Sequence, residues 1–207
     1  MNKRPKYKTA GLPKAQGLYN PQNEHDACGV GMVVNIKNKA SYEIVSKGLS
    51  MLCNLEHRGA VGADPKAGDG SGLLIQIPHK FLKKKIEGNF LLPEIGNYAV
   101  GVIFMPKEKN DQEIIKNIIE KKCLDEGFDI LGWRVCPTQT GDLGWSVLPS
   151  TPDVFQIFIK RPNTFKTQDD FERNLYILRR CIEESIVKIS KTLKEGFYIP
   201  IVKNNSL

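Results

Sequence analysis

From residue 171 the chain sets down Phe171, Leu175, Leu178, Ile182, Ile186, Ile189 and Leu193, at steps of four, three, four, four, three and four. Apolar residues at that spacing fall on one side of an α-helix. Charged and polar residues fill the positions between them. The spacing therefore predicts a long amphipathic helix, capped by Thr167 and closed by Gly196, that must lay one face on an apolar surface. So regular a stripe is a packing face, not a cofactor box. The surface it needs is supplied by short runs rich in β-branched and aromatic residues, which read as strands. These are NYAVGVIFMP (97–106), FDILGWRVCP (128–137), VFQIFIKRP (154–162) and FYIPIV (197–202). Two more runs, CGVGMVVNI (28–36) and LLIQIP (73–78), read the same way, the second as a buried strand.

Two other helices are predicted. Ser41 opens one, with Ile44, Gly48, Met51 and Leu55 on one face, Val45, Leu49 and Leu52 beside it, and Gly59 as its stop. Asn110 with Glu113 three residues on has the form of a capping box. The helix it opens carries Ile115, Ile118, Ile119 and Cys123 on one face and ends at Gly127. Helices mixed with strands, several of them adjacent in sequence, favour a layered α+β or α/β domain. Residues 1 to about 23 are polar and broken by Pro5, Gly11, Pro13, Gly17 and Pro21, the texture of a flexible leader.

Several function classes lose support on these grounds. No apolar stretch approaches the roughly 18 to 20 residues of a membrane span. The N-terminus lacks the apolar core of a secretory signal, so the expected location is the cytoplasm. Five scattered cysteines (Cys28, Cys53, Cys123, Cys136, Cys181), with no C-x-x-C pair, speak against a disulfide framework and against a zinc or iron–sulfur site. Cys53 and His57 share a helical spacing, but two ligands without a second pair make a weak metal site. The formal charge is +7, of which the first 27 residues supply +3 through five basic and two acidic groups. The densest basic run, Lys83-Lys84-Lys85, lacks the interleaved aromatics of a single-strand binder and reads as a solvated helix face. No nucleic-acid or membrane partner is expected.

The glycines of GDGSG (68–72) lead into a predicted strand, whereas a phosphate cradle opens a helix. They read as a tight loop. His57 and Arg58, in LEHRG (55–59), fall where cations suit the negative end of a helix. Cysteine in mid-chain is by default a small apolar residue, and four of the five fit that default. Cys28 differs. It stands where the leader meets the fold, in EHDACGVG (24–31), between Ala27 and the closely spaced Gly29 and Gly31. Small neighbours let a substrate approach the sulfur. Cleavage after Ala27 would make Cys28 a terminus, whose α-amino group (pKa roughly 7.7 to 8.0) can take a proton from the thiol (about 8.5). That would unite nucleophile and base in one residue.

In this order, EHDACGVG, LEHRGAVGADPKAGDGSGLLIQIP, NYAVGVIF and ILGWRVCPT closely resemble the N-terminal region of the glutamate synthase family. More broadly they resemble the class II glutamine amidotransferases of the Ntn-hydrolase superfamily. The likeness runs from about Asn23 to Tyr198. The Cys-Gly-x-Gly start is widely shared, while the GADPKAGDGSG loop sets the glutamate synthase group apart from amidotransferases of purine, asparagine or amino-sugar synthesis. The resemblance implies an α+β fold, a four-layer αββα sandwich. It also implies a leader or propeptide at 1–27 and, at 28–207, the front part of the amidotransferase domain. Cys28 matches the family nucleophile, which attacks the side-chain amide of L-glutamine and passes through a γ-glutamyl thioester to glutamate and ammonia. In the whole enzyme the ammonia aminates 2-oxoglutarate in a synthase half that uses FMN and an iron–sulfur cluster. A small electron-supplying subunit or ferredoxin is the further partner, with the remainder of the large chain. No cofactor site is expected in these residues.

The family's glutamine-binding arginine and oxyanion Asn-Gly pair lie in segments resembling His-x-Arg-Phe-Ser-Thr-Asn and His-Asn-Gly-Glu. Neither occurs among the 207 residues. Loss of one oxyanion donor typically costs about 10²–10³ in rate. The sandwich is therefore expected to be incomplete at its C-terminus and the chain inactive alone. From another functional class, it would be a non-catalytic remnant that binds a partner.

Overall fold

The computed structural model describes residues 14–17, 29–55, 63–68, 70–189, 193 and 195–204. They form two compact units, one of Met1–Leu73 with Gly144–Ser146, the other of Leu74–Leu143 with Val147–Leu207. Among the described residues no helix is long and apolar enough to cross a membrane.

In the larger unit a four-stranded antiparallel sheet is built from β1 (Tyr98–Met105), β2 (Ile130–Val135), β3 (Asp153–Lys160) and β4 (Tyr198–Lys203). Their order across the sheet is β2-β3-β1-β4. Adjacent side chains on a strand point to opposite faces, and the two faces carry different loads. Ala99, Ile103 and Met105 of β1 and Phe155, Ile157 and Ile159 of β3 bury themselves on one face. There they meet α3 (Lys109–Asp125) and α4 (Gln168–Ile189), in a core that also holds Ile115, Ile119, Cys123, Phe171, Leu175, Leu178, Ile182 and Ile186. Tyr98, Val100 and Phe158 bury the other face against Leu82 and Ile86, with Phe90 and Leu92 packed alongside. Leu82 belongs to the short helix α2 (His79–Lys85). Its neighbours Lys83, Lys84 and Lys85 lie exposed.

The long stripe forms the expected helix. The Thr167 hydroxyl accepts from the Asp170 N–H at 3.0 Å, the N-cap arrangement. Ile189, on the same stripe, is 60 % exposed. Leu193, four residues further along the stripe, is buried in the same core. Gly127, at φ +76°, follows the C-cap of α3, in the left-handed conformation glycine tolerates. The capping box is displaced: the helix starts at Lys109 with Glu108 as its N-cap, and Asn110 lies inside the first turn. Pro106 fixes the chain direction two residues before that cap and outweighs the asparagine signal.

Two expected strands form no ladder. Residues 29–35 and 73–78 pair with no described strand. In the smaller unit Val30, Met32, Val34 and Ile36 are 93, 82, 66 and 99 % exposed. In the larger unit Leu74 is 70 % exposed, against the expectation of burial. Composition makes a run suited to pairing, but a strand exists only where a neighbour takes up its N–H and C=O groups.

Candidate functional site

The smaller unit holds the stretches singled out by sequence. Helix α1 (Tyr42–Asn54) begins after Ser41 as expected, and Leu55 is its C-cap. The predicted face Gly48, Met51, Leu55 is the one that other segments rest on. A Cβ placed on Gly29 would lie 2.8 Å from Leu55 Cδ2, and one on Gly31 would collide with Met51 Sδ. Gly48, buried in the helix, would carry a Cβ 2.9 Å from Leu73 Cδ1. Gly29 and Gly31 thus lie against flexible side-chain ends of α1, which would have to turn aside to admit a Cβ.

Cys28 itself lies outside the described residues, as do His57, Arg58 and the predicted stop at Gly59. The four described cysteines are free: Cys53 is exposed, Cys136 and Cys181 half-buried, Cys123 buried. Burial and the nearby Glu120 carboxylate push the Cys123 thiol up to about 12. Burial also raises the Cys136 thiol, partly offset by the Arg134 guanidinium, 3.6 Å from its sulfur. A reactive cysteine needs the opposite shift, so these two behave as packing residues. Among the described residues no three His, Cys, Asp or Glu side chains converge on a point that could hold a metal.

One buried carboxylate in the GADPKAGDGSG loop was not singled out by sequence. Asp64 is 5 % exposed. Its Oδ2 accepts from the Ser146 N–H at 2.9 Å and the Ser146 hydroxyl at 2.8 Å, and its Oδ1 from the Lys66 N–H at 3.1 Å. These bonds, the Ser146 N–H first, hold the carboxyl below the usual carboxylate range against the opposing effect of burial. Gly144 presses on the same carboxylate, where any Cβ would collide. The Lys66 half of this arrangement is legible as an Asx-turn after Asp-Pro. The Ser146 half, 82 positions away, is not. In the larger unit, sequence also passed over His79 and Tyr98. His79 Nδ1 lies 3.0 Å from the Tyr98 hydroxyl, and burial raises that phenol to about 12.

A family model described as class II glutamine amidotransferases matches residues 28–207. The chain belongs to this family. Its relatives include the NADPH glutamate synthase large chain of Bacillus subtilis, 44 % identical over 172 residues, covering 83 % of this chain and 11 % of that protein. The ferredoxin-dependent chloroplastic glutamate synthase of Oryza sativa is 39 % identical over 173 residues, covering 83 % and 11 %. The NADH glutamate synthase of Saccharomyces cerevisiae is 37 % identical over 208 residues, covering 95 % and 9 %. Similarity of this extent to glutamate synthases marks the chain as an N-terminal glutaminase domain of that group. It spans about a tenth of the length of the relatives it matches.

Proposed function

We propose that Cys28, freed as an N-terminus by removal of residues 1–27, is the nucleophile of the glutaminase part of a glutamate synthase. The observation that carries this reading is a boundary: the family match begins at residue 28, where the polar leader ends and the candidate cysteine stands. In the proposed reaction the thiolate attacks the side-chain amide carbon of L-glutamine. The carbon–nitrogen bond breaks, the α-ammonium group returns the proton to the leaving ammonia, and water hydrolyses the γ-glutamyl thioester to glutamate. An α-amino group near pKa 8 is matched to that exchange at neutral pH. The ammonia then serves amination of 2-oxoglutarate by the remainder of the large chain, in the cytoplasm. FMN and an iron–sulfur cluster are assigned to that remainder. The four described thiols lie on α1, on α3, just after β2 and on α4.

The sheet supports the fold half of the proposal. One face is covered by two helices. Among the described residues the other is covered only at its Tyr98, Val100 and Phe158 end, leaving Val102, Phe104, Val154 and Ile201 half-buried and Tyr198 57 % exposed. A second sheet against that face would complete an αββα sandwich. These residues alone are proposed to lack turnover, because neither the arginine segment nor the Asn-Gly segment is among them. A second reading is a remnant that binds a partner without catalysis.

A chimera separates the two. Residues 28–204 replace the matching segment of the Bacillus subtilis large chain, and glutamate synthesis is measured with glutamine and with free ammonia. Glutamine-dependent synthesis that Cys28→Ala abolishes, with ammonia-dependent synthesis retained, is the expected result. Ammonia-dependent synthesis alone, with or without the substitution, would leave the remnant reading standing.

A further inference from the structure

We propose that helix α2 presents a docking surface for an acidic segment of a protein partner. Lys80, Lys83, Lys84 and Lys85 fall within fewer than two helical turns, and all are exposed. Each of α1, α3 and α4 sets basic residues against acidic ones a turn away: Lys47 meets Glu43, Lys122 meets Asp125 and Lys188 meets Glu184. Helix α2 contains no acidic residue, and among the described residues none of its four lysines is in an ion pair. Lys80 stands three and four positions before Lys83 and Lys84, a spacing at which like charges repel. The last three lysines suit the negative end of the helix, but Lys80 lies in the first turn, at the positive end. Helix stability therefore does not account for the set.

Burial holds α2 in place instead. Leu82 and Ile86 pack on Tyr98, Val100 and Phe158, and His79 Nδ1 lies 3.0 Å from the Tyr98 hydroxyl. With Leu82 and Ile86 on the sheet, the helical spacing turns Lys80, Phe81 and Lys84 outward, flanked by Lys83 and Lys85. Phe81 is 51 % exposed among them. Fixed cations around one apolar ring are the complement of carboxylates set about an apolar side chain. Other polyanions match less well. Lys85 Nζ lies 5.7 Å from the centroid of the Phe81 ring, over the face that a stacking base needs. The exposed Glu87, two residues past the helix, opposes a phosphate backbone that runs on. A membrane surface takes up the apolar face of a helix, and that face of α2 is covered by the sheet.

The test uses the full chain and a fluorescein-labelled peptide, Glu-Glu-Asp-Leu-Glu-Glu-Leu-Asp-Glu, whose binding is followed by fluorescence anisotropy. The expected result is saturable binding at low salt that weakens as salt is added. Lys80→Glu with Lys84→Glu weakens it by roughly tenfold or more. Lys37→Glu with Lys121→Glu changes the net charge equally at two other exposed lysines and costs far less. Phe81→Ser weakens binding of this peptide but not of one in which serine replaces both leucines. No binding by wild type overturns the proposal. Equal losses from the two lysine pairs also overturn it, since net charge alone would then explain the attraction. Tighter binding of an oligothymidylate or of phosphatidylserine vesicles, lost with the same α2 pair, overturns it in favour of a nucleic acid or a membrane. A Phe81→Ser chain that binds both peptides as wild type does would refute the part given to the ring.

Discussion

Replacing Gln112 by leucine should loosen the larger unit far more than a change of one helical side chain suggests. Gln112 is 3 % exposed on α3. Its Nε2 donates to the Pro106 carbonyl at 2.7 Å, just past β1, and to Asp153 Oδ2 at 2.8 Å, where β3 begins. One amide thus joins a helix to two neighbouring strands. Leucine fills similar volume and deletes both bonds, along with the 3.2 Å bond that Gln112 Oε1 accepts from the exposed Lys109 Nζ. A bond to a neutral carbonyl contributes about 0.5–1.5 kcal/mol and one to a charged group about 1.5–3. Lys109 remains 3.5 Å from Asp153, but its side chain is 79 % exposed and such pairs contribute little. The added apolar burial of leucine offsets part of the loss, which leaves a destabilisation of about 2–3 kcal/mol. With an m-value of about 1–3 kcal/mol/M in urea, the unfolding midpoint should fall by about 0.7–3 M. Trp133 on β2 reports it, in a Trp145→Phe background. A midpoint unmoved by Gln112→Leu would refute the claim that this amide joins helix to sheet.

Gly101→Ala places a methyl 2.8 Å from Ile157 Cγ2 and 3.0 Å from Val202 Cγ2 on the strand between β3 and β4. Overpacking of this kind costs about 1–3 kcal/mol, and a thermal melt should show it. Acid should release residues 144–146. The folded-state pKa of Asp64 is depressed below 3.8, so its stabilising bonds are fully present above that value and are lost as pH falls through the lower folded one. Trp145 fluorescence, in a Trp133→Phe background, should change below about pH 4, and Asp64→Ala should remove that transition. A thiol reagent near pH 8 should modify Cys53 promptly and Cys123, with its thiol near 12, only on unfolding. Prompt modification of both would contradict the burial of Cys123.

How far the fold could be read from sequence follows from where its information is stored. Helix α4 is visible because its six apolar positions repeat locally, and β1, β2, β3 and β4 because their runs are dense in β-branched and aromatic residues. The order β2-β3-β1-β4 depends on pairings such as Val100↔Phe158 and Gly101↔Val202, which no local pattern encodes. The same limit explains the two unpaired runs, since Val30 to Ile36 carries the composition of a strand without a ladder. In the candidate site the motif at Gly29 and Gly31 was legible, but its contact with the Met51 and Leu55 side chains of α1 required the helix to be placed. Asp64 was hidden because Ser146 is remote in sequence.

The central claim, that Cys28 is placed to become a terminus, is tested most directly by the intact mass of the purified chain together with N-terminal sequencing. The account predicts a chain that begins at Cys28, its α-amino group free to serve the thiol. A chain that begins at Met1, or lacks only that residue, would leave the cysteine blocked by its leader and contradict the proposed nucleophile in this chain.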